Sequence, residues 1–509
     1  MRKLLSSCLA ALTVALMSHA AAQAGDLDQP IRTTAGLVMG KPADGAGVRT
    51  FKGIPYAAPP VGQLRWREPQ PAPRWTGARR ADGFSPICVQ HAPPAPPGRK
   101  PALQSEDCLY LNVWTPAQKR SARLPVMVWI YGGGFNFGSA SEPSYDGENL
   151  ARKGVVFVSF NYRVGALGFL AHPGLTAESP HHSSGNYGLL DQIAALKWVK
   201  ANIAAFGGDP DRVTIFGESA GSTAISALQT SPLAMGLYKR AIGESTAEMD
   251  PAAGIVGRRT FSQAEAAGAA FGESLGAHSI AELRRLPAST FAQNPTLFWI
   301  TEQDGYVLPD QVYAAFAAGR QAHVDLMVGS NGEEGLTLQV PWVKPSTPAE
   351  KDAFSRLYPT PNDPQVFSDA VNWQMRTWAQ LAVQSGESNT YLYRFTRNPA
   401  AGAAPVAPGH RAPGDYHGSE IIYVFDNLQT TDWPWSQVDR DLADRMSTYW
   451  TNFARSGDPN GPGLPPWPRF DPRHPEVEVL DQPIATAPLP RPEAFEFLDA
   501  YFASRRGGV

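Results

Sequence analysis

Apolar residues in this chain gather into short runs of strand length, separated by stretches rich in glycine and proline. Val126-Met-Val-Trp-Ile-Tyr131, Val155-Val-Phe-Val-Ser-Phe160 and Val213-Thr-Ile-Phe216 are largely β-branched and aromatic, the composition of buried strands. Ser105-Glu-Asp-Cys-Leu-Tyr-Leu-Asn-Val-Trp114 enters an alternating strand, and 31–39 and 47–51 read as two more around the turn-rich Pro42-Ala-Asp-Gly-Ala46. The stretch 51–66 carries too much proline for regular structure and reads as a loop packed on the body. Between 188 and 207, Leu189, Ile193, Leu196, Val199 and Ile203 recur at helical spacing and form one face of an amphipathic helix. That helix lies between the strands at 155 and 213, and strand, helix, strand in this order is a parallel crossover. Residues 223–325 read as helix and loop with few strand signals. Leu326-Met-Val-Gly329 returns to the sheet, 366–385 reads as helix and 390–395 as strand. A last long helix at 442–454 is ended by Ser456-Gly-Asp-Pro-Asn-Gly-Pro-Gly463. The pattern predicts an α/β fold with a mostly parallel central sheet, flanking helices and long insertions. No repeat or linker divides it, so 25–509 reads as a single domain.

Composition narrows the function. The 509 residues carry 43% hydrophobic and 18% charged side chains and a formal net charge of −3, without any basic run. Nucleic acid and anionic membrane surfaces are therefore not expected partners, and no obligate protein partner is implied. Residues 1–24 read as a Sec-type signal peptide: a basic Met1-Arg-Lys3, an apolar stretch over 9–17 and a small-x-small site at Ala22-Gln-Ala24. Leu5-Ser-Ser-Cys8 superficially resembles a lipoprotein signal but leaves no apolar core ahead of the cysteine. No other run is long enough to cross a bilayer, so the chain is expected to be secreted or periplasmic, with no membrane anchor. Export leaves Cys88 and Cys108 in an oxidising compartment, where pairing is the default and closing such a loop contributes about 3 kcal/mol on the chain-entropy account. Pro93, Pro94, Pro96, Pro97 and Pro101 stiffen that loop. The two cysteines lack histidines at ligand spacing, so no metal and no organic cofactor is expected.

The chemistry centres on Gly217-Glu-Ser-Ala-Gly221, a G-x-S-x-G that follows the Val213 strand and precedes a small-residue helix. A serine on so sharp a turn has an exposed hydroxyl and strained backbone, which makes Ser219 the candidate nucleophile. A serine hydroxyl needs a base, an orienting acid and a trap for oxyanion charge. Tyr131-Gly-Gly-Gly-Phe135 at a strand end supplies unobstructed amides, so Gly133 and Gly134, with Ala220 after the nucleophile, form the candidate oxyanion hole. A phosphate loop also suits three glycines, but no Gly-Lys-Ser/Thr follows. Among the histidines, 181, 182, 278, 323 and 474 lie among surface-type residues. His417, late in the chain within Asp415-Tyr-His-Gly-Ser-Glu420, is the candidate base, and His410 the fallback. Gly418 would let that loop approach closely. Glu334, on the loop after the 326–329 strand, is the candidate acid, with Glu333 its natural misassignment. Glu218 either adds negative potential favouring an imidazolium or is a structural acid.

Several blocks together resemble the type-B carboxylesterase/cholinesterase family. They are Phe51-Lys-Gly-Ile-Pro-Tyr-Ala57 with Pro59-Pro-Val-Gly62, the 105–113 strand entry, Trp129-Ile-Tyr-Gly-Gly-Gly-Phe135 and Asn161-Tyr-Arg163. Gly185-Asn-Tyr-Gly-Leu-Leu-Asp-Gln192, Phe206-Gly-Gly-Asp-Pro210, Gly217-Glu-Ser-Ala-Gly-Ser222 and Gly457-Asp-Pro-Asn-Gly461 continue the series to about residue 470. The resemblance implies an α/β-hydrolase fold, a Ser219–Glu334–His417 triad, an oxyanion hole at Gly133, Gly134 and Ala220, and a Cys88–Cys108 disulfide. It implies an exported serine carboxylesterase acting on small-molecule esters; an amide or thioester hydrolase with the same triad, or a non-catalytic cholinesterase-like binding protein, are the alternatives. Relatives of the last kind usually lack the nucleophile or the histidine, and this chain keeps all three triad members. Cholinesterases place a tryptophan in the first disulfide loop, whereas 89–107 contains no Trp, Tyr or Phe, so choline-ester specificity is not carried over. Gly243-Glu-Ser-Thr-Ala-Glu-Met249 departs from the usual Gln-Ser-Gly, so acyl preference is not carried over either.

Overall fold

A ten-stranded sheet runs through the protein and fixes where every candidate residue ends up. In the computed structural model, residues 26–91, 101–249, 259–293, 300–338, 342–386, 388–399 and 414–506 are described. Residues 1–24, expected to be a signal peptide, His410 and the prolines at 93–97 lie outside them. The strands are β1 (Arg49–Pro55), β2 (Tyr110–Thr115), β3 (Leu124–Ile130), β4 (Val156–Phe160), β5 (Gly208–Glu218), β6 (Arg240–Glu244), β7 (Asp325–Asn331), β8 (Thr390–Phe395), β9 (Glu476–Leu480) and β10 (Ala485–Pro488). Across the sheet their order is β10-β9-β8-β7-β6-β5-β3-β4-β2-β1. From β4 through β3, β5, β6, β7 and β8 to β9 every pairing is parallel, and antiparallel strands close both edges. The expected α/β arrangement with a mostly parallel sheet is the one observed.

The strands β3 and β4 are buried along almost their whole length, which is why they read as continuous apolar runs. Helix α1 (Tyr187–Asn202) corrects the one-face reading of its sequence: its buried residues include Asp191, Gln192 and Trp198 as well as the apolar stripe. The reason is an ion pair. Arg163, after β4, meets Asp191 with Nε–Oδ2 and NH2–Oδ1 distances of 2.7 Å, both side chains almost fully buried. A planar guanidinium matched to a carboxylate tolerates such burial because each oxygen keeps a donor. The pair ties the Asn161-Tyr-Arg163 segment to α1, so two separate sequence blocks are one contact. Arg65 does the same for the loop at 51–66, binding Glu106 through two bonds of 2.7 Å beside the Cys88–Cys108 disulfide.

Other elements differ from the sequence reading: the strand expected at 31–39 is two short strands, Ile31–Arg32 and Leu37–Met39, paired as a hairpin in a separate small sheet. β1 continues through Pro55, into the segment expected to be loop. β6 lies inside the region expected to hold few strands, because Arg-Ala-Ile-Gly-Glu has neither alternation nor a β-branched run; Arg240 Nε lies 3.5 Å from Asp325 Oδ2, and Trp450 Nε1 donates to Glu244 Oε1 at 2.8 Å. The β9–β10 hairpin adds an edge. The helix at Gln437–Ser456 is not the last, since Pro492–Arg506 follows and packs Phe502 against Trp373 with ring centroids 4.3 Å apart and the planes tilted by 37°. Gly457, at φ 80°, ends the former helix and donates its N–H to Phe453 O at 2.8 Å.

Candidate active site

Parallel strands deliver their C-terminal ends to one edge of the sheet, and the loops leaving β3, β5, β6, β7 and β8 meet there. Toward its end β5 pairs Phe216 with Trp129 and Glu218 with Glu244, and the chain then turns at Ser219 into α2 (Ala220–Thr230). Ser219 has φ 55° and ψ −123°, a conformation a non-glycine residue rarely adopts. The turn is possible because its flanks are bare: a Cβ on Gly217 would lie 2.4 Å from Ile130 O, and one on Gly221 1.9 Å from the same atom. Ser219 N donates to Glu244 O at 2.8 Å, which anchors the elbow to β6.

The other members arrive from far along the chain. His417 Nε2 lies 2.9 Å from Ser219 Oγ, and its Nδ1 lies 2.6 Å from Glu334 Oε2. Glu334 is fully buried, and its second oxygen accepts Asn331 N–H at 2.8 Å, so the carboxylate cannot rotate away from the imidazole. Glu333 instead faces solvent. The Phe367 ring meets the imidazole edge-to-face at 6.3 Å and also lines a cavity of about 600 Å³ with Phe354 and Tyr358. Histidines 181, 182, 278, 323 and 474 are all exposed.

The loop after β3 carries Gly133 at φ 94° and Gly134 at φ 61°. Its preceding glycine abuts the elbow serine: a Cβ on Gly132 would sit 2.9 Å from Ser219 Cβ. Ala220 opens α2, where first-turn amides have no intrahelical acceptor. Three amides and one serine hydroxyl therefore share the rim of the sheet. Among the described residues no three His, Cys, Asp or Glu are grouped as a metal site requires.

Buried carboxylates surround the imidazole. Glu218 Oε1 stands 3.1 Å from His417 Nε2, and Gly418, at φ 79°, leaves room for that approach. Burial pushes the Glu218 carboxyl up to about 7, with the Glu334 charge adding to it and His417 opposing. Burial likewise holds Glu244 up at about 8 despite the bond from Trp450, and lifts Glu420 well above the usual range. For His417, burial disfavours the imidazolium, but the Glu218 and Glu334 carboxylates and the Glu334 hydrogen bond reverse this and raise it to about 9.

Comparison with known proteins decides the family. The model of the Carboxylesterase family matches residues 28–363 and 364–497. The chain belongs to the carboxylesterase family. Within it, the chain is 40% identical over 486 residues to a fumonisin B1 esterase of Sphingopyxis macrogoltabida, covering 89% of this chain and 86% of that one. It is 35% identical over 511 residues to a para-nitrobenzyl esterase of Bacillus subtilis, covering 91% and 97%. A solved PNB esterase structure superposes with a TM-score of 0.79 at 33% identity, covering 92% of this chain and all of that one. This carboxylesterase is a carboxylic ester hydrolase with an α/β-hydrolase fold.

Sequence reasoning did not single out Asn331, whose Nδ2 donates to Tyr416 O at 2.8 Å and also to Glu420, holding the His417 loop against β7. Nor did it single out Phe367, Glu244, Glu420 or Thr246 as parts of this rim. Glu244, Thr246 and Glu420 do fall in segments whose chemistry or departure from the family pattern was visible.

Proposed function

We propose that this carboxylesterase is exported and hydrolyses small-molecule esters by two-step acyl transfer through Ser219. Ser219 Oγ attacks the ester carbonyl carbon while its proton passes to His417 Nε2, and Glu334 holds the imidazolium through Nδ1. The amides of Gly133, Gly134 and Ala220 receive the developing oxyanion, where one donor is typically worth about 3–4 kcal/mol. The imidazolium then protonates the leaving alcohol as the tetrahedral intermediate collapses to an acyl-enzyme. Water, deprotonated by His417, repeats the addition, and the acid leaves as Ser219 recovers its proton. The observation that carries this reading is the continuous hydrogen-bonded line from Ser219 Oγ through His417 to buried Glu334, at 2.9 and 2.6 Å.

The test is a rapid-mixing experiment with a short-acyl nitrophenyl ester. An acyl-enzyme route gives a burst of nitrophenolate equal to the enzyme concentration before steady turnover, provided deacylation is the slower step, and the acyl group is then found on Ser219 by mass spectrometry. Failure to find any acylated enzyme when the reacting mixture is quenched with acid during the burst, which stops deacylation, would count against a covalent intermediate.

The charges around His417 set a pH profile. Nε2 accepts the serine proton only when unprotonated, and its affinity for a proton is raised, so activity is lost as pH falls through a limb above the ordinary imidazole value of about 6.5. Glu218→Gln removes the largest upward influence. The acid limb of kcat/KM is expected to move to lower pH by about one unit, with the limb of wild type as reference. An unmoved limb, or one moved upward, contradicts the assignment of Glu218 as the neighbouring charge.

A further inference from the structure

The bulge that leaves β6 carries a contact the reaction scheme does not use. Ser245 and Thr246 both have positive φ, 59° and 156°, and both are buried. The bulge is clamped on each side: Ser245 N donates to Gly329 O at 2.8 Å, Ser222 Oγ donates to Thr246 O, and Ala247 N donates to Gln374 Oε1 at 2.9 Å. A β-branched residue at such an angle is uncommon and persists where surrounding contacts over-determine it. What the clamp presents is the threonine hydroxyl. Thr246 Oγ1 donates to the carbonyl oxygen of Ser219 at 2.7 Å and lies 2.9 Å from Thr223 Oγ1. A hydroxyl has one hydrogen. With that of Thr246 committed to Ser219 O, Thr223 donates to Thr246, and the two threonines form a directed chain ending on the Ser219 carbonyl. Thr223 N donates to the same oxygen at 2.9 Å, so both of its lone pairs are filled.

The Ser219 carbonyl and the Ala220 N–H are two ends of one planar peptide unit. We propose that Thr246 is a positioning residue for ester hydrolysis, which fixes and polarises the Ser219–Ala220 peptide so that its N–H is a stronger, better-aimed donor to the oxyanion. The inference rests on Ser219 as nucleophile and Ala220 as oxyanion donor. Donation into one end of an amide strengthens donation from the other, and a peptide gripped at its oxygen cannot tilt when charge develops at its hydrogen. Because the oxyanion exists only after attack, the effect belongs to the transition state and not to substrate binding.

The experiment compares Thr246→Val, Thr246→Gly and Thr246→Ser with wild type on a nitrophenyl ester and on a matched pair of inhibitors. The first inhibitor is a trifluoromethyl ketone, whose carbonyl carbon adds Ser219 Oγ while the serine proton moves to His417 and the ketone oxygen becomes an oxyanion. The second is the corresponding methyl ketone, which adds to serine far less readily. Thr246→Val is expected to lower kcat about tenfold at unchanged KM, and to weaken the trifluoromethyl ketone by the same factor while leaving the methyl ketone unaffected. Thr246→Gly suits the backbone angle and removes the same hydroxyl, so it reads the same should the valine variant fail to fold. Thr246→Ser restores the hydroxyl and should recover most of the loss. Wild-type kcat in both hydroxyl-less variants, with an organophosphonate still labelling Ser219, overturns the role of Thr246 and leaves the nucleophile standing. A loss that serine does not recover, or that appears equally with the methyl ketone, also overturns it, since the side chain would then act through packing. Labelling of some other serine would instead remove the reading on which the inference rests.

Discussion

Ser219→Ala is expected to cut kcat for a short-acyl nitrophenyl ester on the order of 10⁶-fold while leaving the melting transition of the protein close to wild type. The kinetic loss follows from geometry: Ser219 Oγ lies 2.9 Å from His417 Nε2, and the methyl group of alanine has no lone pair to take its place as nucleophile. Stability should be spared because alanine keeps the Cβ that the turn already accommodates, and the positive φ of 55° is paid by both residues alike. The backbone anchor of the elbow, Ser219 N to Glu244 O, does not involve the hydroxyl. A variant that retains more than about a hundredth of wild-type turnover would mean that the serine assists and does not attack. Thermal melts of both proteins, beside the rate measurement, separate lost chemistry from lost folding.

The second large effect is expected at Glu334. In Glu334→Gln the side chain keeps its shape but has one acceptor oxygen and one amide donor where the carboxylate had two acceptors. Asn331 N–H, 2.8 Å from Glu334 Oε1, claims the oxygen, because turning the amide group toward it would bury two donors face to face. The amide nitrogen then faces His417 Nδ1, which must be bare to accept from it. The imidazole proton is forced to Nε2, the nitrogen that faces Ser219, and the base loses the lone pair it needs. A fall of about 10⁴-fold in kcat is expected, smaller than for Ser219→Ala because the oxyanion amides remain. The acid limb of the profile should also move to lower pH, since Glu334 is one of the charges that raise His417. Activity within tenfold of wild type in Glu334→Gln would show that another group orients the imidazole, with Glu218, 3.1 Å from Nε2, the first to examine by a double substitution.

Much of this arrangement could be read before any coordinates, and the reason is chemical. The elbow announces itself because Gly217 and Gly221 must lack a Cβ beside Ile130 O, the glycine loop after β3 because Gly133 and Gly134 need positive φ, and the two follow the apolar runs at 126–131 and 213–216. Glu334 and His417 were legible by their place after β7 and late in the chain, not by local composition. Strands whose burial involves charged ends were not legible: β6 begins at Arg240 and ends at Glu244, which bond to Ala454 O and Trp450 Nε1, each more than two hundred residues away. The same holds for α1, where Asp191 reads as the polar side of an amphipathic helix until Arg163 is found against it. The acidic surroundings of His417 were only half visible. Glu218 stood next to the nucleophile in sequence, whereas Glu244 and Glu420 come together with it only because the loops after β6 and β8 share one edge of the sheet.

Hydrolysis by this route requires that Ser219 Oγ carry the acyl group. The most direct measurement is treatment of the purified protein and of Ser219→Ala with an organophosphonate ester, followed by digestion and mass mapping of the adduct. A single phosphonyl group is predicted on the peptide containing Gly217-Glu-Ser-Ala-Gly221, at Ser219, with activity lost in proportion and no adduct in Ser219→Ala. An adduct on another serine, or equal labelling of Ser219→Ala, would contradict it.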